Sequence, residues 1–316
     1  MNAHKSMIGA RKMDSVLVVG SVAYDAIETP KSKVDCILGG SAMYFSSAAS
    51  FFSPVQVVAV VGEDFKDDDL DFLNARQVDF SGLQRAKGKT FQWGGKYSSD
   101  FSNRETTYTH LNVFETFDPQ IPETLRKTPL VFLANIGPDL QLNVLSQMER
   151  PKFVALDTMN YWIDRTPDSL IEVLGKVDSL IINDEEAKQL TGENQLISAM
   201  KAIQKMGPNV LIVKKGEHGV TMLMEEEFFF LPAYPVEELV DPTGAGDTFA
   251  GGFMGYLAYS NQLSKLTFRN AVVFGSALAS FCVEGIGPSK LKTITRDDVF
   301  QRYRKFQQLT HFEFTE

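Results

Sequence analysis

The chain is poor in the residues that make cross-links and metal cages. Its 316 residues include two cysteines, Cys36 and Cys282, and four histidines, His4, His110, His218 and His311. Two isolated thiols form no disulfide framework and suit reduced residues in a cytoplasmic protein. The histidines are scattered without metal-ligand spacing, so a dedicated zinc or iron centre is not expected. Positive charge is also short: 31 Lys and Arg against 40 Asp and Glu leave a net charge of −9, with no sustained basic stripe. That argues against nucleic acid as a partner. Long hydrophobic runs are missing as well. The longest apolar stretches are strand-sized, and Met1-Asn-Ala-His-Lys-Ser6 carries no apolar signal-peptide core, so neither membrane spanning nor secretion is expected.

What the chain does have is enough apolar residues, 44%, to bury one large core. Short β-branched runs at Ser15–Val19, Val55–Val61, Leu130–Ala134, Phe153–Leu156, Ser179–Ile182 and Val210–Val213 read as buried parallel strands. Between them, residues 40–53, 64–75, 140–149, 169–174, 185–190 and 195–206 supply crossover helices. An α/β/α sandwich with a mainly parallel central sheet follows, read as a single domain over residues 14–312. Two segments break the rhythm, about 24–37 and 90–113. The second is crowded with Trp93, Gly94, Gly95, Tyr97, Phe101 and Tyr108. Both fit short antiparallel strands, hence a small β-sheet lid whose aromatics face a ligand, cover a subunit interface, or pack the lid itself. Val220–Met224 and Phe228–Leu231 flank an acidic turn and read as a late hairpin, followed by helices over 266–283 and 294–306.

One segment imitates a phosphate loop. Gly82-Leu-Gln-Arg-Ala-Lys-Gly88-Lys89-Thr90 has five residues between its glycines instead of four, and no helix follows it. It fails as a P-loop on spacing and context.

The segment that carries most information is Asp241-Pro-Thr-Gly-Ala-Gly-Asp247-Thr-Phe-Ala-Gly-Gly-Phe253. Gly244 and Gly246 permit close backbone approach and unusual dihedrals at the start of an amphipathic helix. First-turn N–H groups without helical partners surround an anion well, and Asp247 beside them suits a proton acceptor. Helix capping and close packing account for the same residues, and the local pattern does not choose between these readings. Asn183-Asp-Glu-Glu186 follows a predicted strand and reads locally as a capping box.

Taken together, these segments resemble the PfkB, or ribokinase-like, family of carbohydrate and nucleoside kinases over nearly the whole chain. Asp241 to Phe249 is similar to the family's C-terminal signature, and Gly39-Gly40 to its N-terminal glycine pair. The resemblance implies an ATP-dependent phosphotransferase, with Asp247 as base and Gly244, Ala245 and Gly246 as the anion hole. It implies that Asn183 and Glu186 organise Mg2+ through water. Thr243, Lys214, Gly216 and Gly219 fall on the nucleotide side. The adenine pocket is expected between the Gly251 helix and the 270–282 helix, near Ala271, Phe274, Ser276 and Ala279. Asp241 and Thr243, with the 285–289 loop, resemble an optional K+ site. His218 has no assigned role.

On the acceptor side the resemblance places Asp25, Gly39 and Gly40 against substrate hydroxyls. Where many sugar-kinase relatives carry Asn, this chain has Tyr44, which suits stacking and one hydroxyl instead of a two-sided amide. With Trp93 and Tyr97 it permits an aromatic-lined pocket, and Lys96, Asn103 and Arg104 are polar lid candidates. No cluster of arginines marks a sugar phosphate. The expected acceptor is an unphosphorylated sugar or an adenosine-like nucleoside, with inositol or another polyol as the alternative, and the lid is the expected surface for a homodimer. A noncatalytic nucleotide-binding protein would not need a base at Asp247.

Overall fold

The computed structural model describes residues 13–101 and 103–313. Met1 to Ser6, with His4, lies outside them. In chain order the strands are β1 (Val16–Val19), β2 (Ala23–Glu28), β3 (Lys33–Gly39), β4 (Val55–Val61), β5 (Asp79–Arg85), β6 (Phe91–Tyr97), β7 (Arg104–His110), β8 (Leu130–Leu133), β9 (Phe153–Asp157), β10 (Ser179–Asn183), β11 (Val210–Lys214), β12 (Val220–Met224) and β13 (Glu227–Leu231). The helices are α1 (Ser41–Ala49), α2 (Asp71–Asn74), α3 (Pro138–Gln147), α4 (Asn160–Arg165), α5 (Pro167–Leu174), α6 (Asp184–Thr191), α7 (Leu196–Gln204), α8 (Ala245–Ser260), α9 (Lys265–Cys282), α10 (Ser289–Thr293) and α11 (Arg296–Thr310).

Nine strands form one sheet in the order β13-β12-β11-β10-β9-β8-β1-β4-β5. Its neighbours pair in parallel except at the β11-β12-β13 hairpin end. Alternation sends Val16, Val18, Phe132 and Ile212 to one face and Leu17, Val19, Leu133 and Val213 to the other. The first face is covered by α1, α8 and α9, with Phe45 of α1 stacked on Phe132 at 4.6 Å. The second is covered by α3, α5, α6 and α7. Sheet order reverses at β1, whose neighbours are β4 on one side and β8 on the other, so a crevice opens beyond its carboxyl end.

A separate four-stranded sheet, β3-β2-β6-β7, occupies the two segments expected to form a lid, about 24–37 and 90–113; each is an antiparallel hairpin as expected, but the two join in parallel through β2 and β6. Asp25 pairs with Trp93, Ile27 with Gly95, and Tyr97 with Arg104. These residues therefore share one lid face.

Two local expectations differ from the structure. Residues 64–75 form only a 3-10 turn (Asp67–Leu70) and the short α2, because Asp64 accepts hydrogen bonds from the N–H and hydroxyl of Thr90 and so pins the chain before a helix can start. Gly82, part of the rejected phosphate-loop segment, lies inside β5, an edge strand whose polar alternation hides it from a search for apolar runs. Among the described residues no helix is long and apolar enough to cross a membrane.

Candidate active site

The head of α8 is built by two glycines with different jobs. Gly244 caps the helix at φ 73°, and a Cβ there would lie 2.3 Å from the Tyr44 ring. Gly246 has no such dihedral, contrary to the expectation that both glycines need one. A Cβ on Gly246 would instead stand 2.9 Å from Lys214 Nζ. Ala245 N–H donates to the Pro242 carbonyl and Thr248 N–H to that of Gly244, while the Gly246 and Asp247 N–H groups have no backbone acceptor among the described residues. Those are the donors an anion needs at a helix start.

Four charged side chains converge on this turn, two from strand ends and two from helix starts. Lys214 closes β11, and its Nζ is 3.9 Å from Oδ2 of Asp157, which closes β9 and is 6% exposed. Glu186 reaches in from the start of α6 and Asp247 from the first turn of α8. Burial, with the Asp157 charge second, pushes both the Asp247 and the Glu186 carboxyls up to about 7, while Lys214 pulls each back. Burial also raises Asp157 against the opposing effect of Lys214. For Lys214 burial favours the neutral amine, and Asp157, Glu186 and Asp247 together outweigh it and hold the ammonium. Sequence reasoning missed Asp157. Its signal was there, a carboxylate ending a buried run where α/β sheets present ligands.

Asn183 and Glu186 do form the capping box. Glu186 N–H donates to Asn183 Oδ1 at 2.7 Å, and Asn183 N–H donates to Glu186 Oε2 at 3.0 Å. The motif is thus both a helix start and a carboxylate fixed beside the reactive turn. Among the described residues no three His, Cys, Asp or Glu side chains are grouped to hold a metal by themselves. A divalent ion here would need water and phosphate oxygens to complete its shell.

Across the crevice, Asp25 is 4% exposed, and burial followed by the charges of Asp241 and Asp247 pushes its carboxyl up to about 7. Gly39 is bare because Asp25 lies against it, a Cβ falling 2.0 Å from Oδ2; Gly40 takes φ 93° against the Ser21 carbonyl. Trp93 lies under the Arg104 guanidinium at 5.3 Å, and the Tyr97 hydroxyl bonds Thr243 Oγ1 at 2.9 Å, tying the lid to the α8 turn. Both Asp241 oxygens are committed, to Thr243 N–H at 2.9 Å and Gly287 N–H at 2.8 Å.

Tyr44 departs from its expected use. It is 2% exposed, its ring props the Gly244 turn from below, and its hydroxyl has no partner among the described residues. A buried ring cannot be a stacking platform; it forms the floor. Lys96 pairs with Glu28 at 2.7 Å, and Tyr108 packs over Gly94, on the lid face opposite Trp93. A half-buried pair that the sequence did not reveal, Asn135 after β8 and Trp162 on α4, is joined by a 2.9 Å bond from indole N–H to Oδ1.

The sequence profile of pfkB family carbohydrate kinases matches residues 13–294. The chain belongs to that family. A cytidine kinase of Thermococcus kodakarensis is 31% identical over 249 residues, 77% of this chain and 88% of that protein. The structure of Burkholderia thailandensis nucleoside kinase with inosine matches with a TM-score of 0.76 at 20% identity, covering 93% of this chain and 97% of that one. Arabidopsis thaliana ribokinase, complexed with ribose and ATP, matches with a TM-score of 0.75 at 22% identity, covering 92% and 99%. This pfkB-family protein is a kinase of the sugar and nucleoside class.

The remaining nucleotide-side candidates of the pfkB-family chain divide. Ser276 on α9 keeps a buried hydroxyl with no partner among the described residues. Gly216 turns at φ 53° in the open. Gly219 is accounted for by packing, since a Cβ there would meet the Leu231 carbonyl at 2.1 Å. The adenine pocket expected between α8 and α9 has no room at Gly252, where a Cβ would come within 2.9 Å of Gly275 Cα. Ala271 is fully buried, and Phe274 stacks on Tyr256 and Tyr303. That stretch is a helix-packing seam, on which Ser276 and Ala279 are half-buried and Ala279 packs against the core.

Proposed function

We propose that the chain transfers the γ-phosphoryl group of Mg-ATP to a hydroxyl of an unphosphorylated nucleoside or sugar. The observation that carries this is Asp247, a half-buried carboxylate raised to about 7 beside two N–H groups without backbone acceptors among the described residues. Such a group is ionised often enough to accept a proton near neutrality and basic enough to take one from an alcohol as it attacks. The acceptor proton passes to Asp247, the alcohol oxygen bonds to the γ-phosphorus, and the bond from that phosphorus to the β-phosphate bridging oxygen breaks. ADP leaves, and Asp247 returns its proton to solvent. The N–H groups of Gly246 and Asp247 stabilise charge on the moving phosphoryl oxygens.

The donor set suits a phosphate-bound cation: Glu186, Asn183 and Asp157 stand at strand ends without forming a closed cage. They would hold Mg2+ through water, and Mg2+ supplies neutralisation of β- and γ-phosphate charge. Asp25 binds an acceptor hydroxyl, and the lid excludes water from the transfer. With both Asp241 oxygens bonded to backbone N–H groups, a K+ ion at that loop would rest on carbonyl oxygens.

Trp93 with Arg104 over it offers a flat surface that favours a nucleoside base over a bare sugar. The names of the T. kodakarensis and B. thailandensis relatives agree with this choice. The test is acceptor-dependent ADP release from Mg-ATP across nucleosides, pentoses, hexoses and inositols, with mass detection of product. A phosphorylated nucleoside is expected. A phosphorylated polyol alone would replace the acceptor, and nucleotide binding with no product from any class would overturn the kinase assignment.

A further inference from the structure

The α8 turn is held between two side chains, the Tyr44 ring under Gly244 and the Lys214 ammonium against Gly246. The second contact explains a glycine that the backbone does not. Gly246 is the second residue of α8 and has no positive φ, so its backbone does not call for glycine, which is a poorer helix former than alanine. What its bareness provides is room for Nζ, 2.9 Å from the absent Cβ. That ammonium has few bonds of its own: its ion pair with Asp157 spans 3.9 Å, beyond hydrogen-bond reach, although an ammonium carries three donors. It is also shared, since Asp157, Glu186 and Asp247 all feel its charge. Arg104, the other cation felt at Asp247 and Glu186, is exposed on the lid and lies over Trp93.

We propose that Lys214 is a catalytic cation: Asp157 holds its ammonium in the free protein, and it moves onto the oxygens of the phosphoryl group in transfer, through the space Gly246 leaves open. This rests on the kinase assignment. A four-carbon stem anchored at the end of β11 allows such a shift by bond rotation alone. Charge placed where negative charge develops, in a site shielded from water, acts on the transition state more than on bound nucleotide. Asp157 has a correspondingly indirect part, as a positioning residue that keeps the ammonium over the turn until phosphate arrives.

Calorimetry with Mg-ADP, alone and with aluminium fluoride as a planar mimic of the moving phosphoryl group, tests the proposal without an acceptor. In the native protein, fluoride complex formation should tighten ADP binding. Lys214→Met should abolish about 10²-fold of that tightening, with Mg-ADP affinity alone held within about threefold, and Lys214→Arg should restore part of it. Gly246→Ala should lose the same tightening while its melting temperature stays level or rises, because the clash is with the tip of a flexible side chain. The double variant should be no worse than either single one. Undiminished tightening in Lys214→Met would overturn the proposal. So would an equal loss of plain Mg-ADP affinity, which would make Lys214 a ground-state or folding residue. If the native protein turns over an acceptor while Lys214→Met behaves like it, only the lysine assignment falls. If the native protein shows neither tightening nor turnover, the kinase assignment falls and takes this one with it.

Discussion

The two sides of the crevice are made in different ways. The proposed phosphoryl side takes Asp157 and Lys214 from the ends of β9 and β11, Glu186 from the start of α6 just after β10, and Asp247 from the head of α8, so its backbone is anchored on the main sheet. The proposed acceptor side rides on a small mixed sheet whose edge strand β7 is almost wholly exposed. Rigid placement suits the step that never changes, and a lightly held sheet suits the choice of acceptor.

The contrast predicts separable losses. Asp247→Asn should reduce kcat by roughly 10²–10⁴-fold with Mg-ADP affinity nearly unchanged, measured by steady-state turnover and calorimetry. Because the carboxyl is raised to about 7 and acts when ionised, native kcat/KM should climb as pH rises through about 7 and level above it. Asp157→Asn removes a like charge that raises Asp247, so it should move that limb to lower pH. A limb that stays put would uncouple the two groups. Next in size, Gly244→Ala should destabilise the fold by about 2–4 kcal/mol in urea unfolding, from the left-handed backbone and the collision with Tyr44. Native stability in that variant would mean the turn is softer than its packing indicates.

On the lid, Trp93→Ala should raise the acceptor KM by about 5–30-fold and leave kcat within about threefold, as expected for a contact made equally before and during transfer. A large fall in kcat instead would blur the division between the two sides. The smallest change should come from Tyr44→Phe. Its hydroxyl is buried and has no partner among the described residues, so removal should leave stability level or raise it by up to about 1 kcal/mol. A clear loss would show that a water or ligand completes that hydroxyl.

The sheet and its reactive turn were legible because buried parallel strands are continuous apolar runs, and because Asp247 follows glycines at a helix start. Less legible were features that depend on what lies across the chain. Nothing in the local sequence separates the job of Gly244 from that of Gly246, since one answers to Tyr44 and the other to Lys214, residues distant in sequence. Tyr44 looked like a recognition aromatic, and its place on buried α1 makes it a prop. The edge strand β5 and the α8-α9 seam were missed or misjudged for the same reason: small and polar residues report their neighbours more than their own preferences.

Both lid segments leave the main sheet and come back without entering its strand order, β2-β3 between β1 and α1 and β6-β7 between β5 and β8. The lid is therefore an insertion in the architectural sense, a pair of excursions that could be exchanged for another small sheet of similar span while every rung of the nine-stranded ladder stays in place. Divergence of such a protein toward a new alcohol would need changes mainly in those two excursions, so kinship in the sheet and kinship in diet can drift apart.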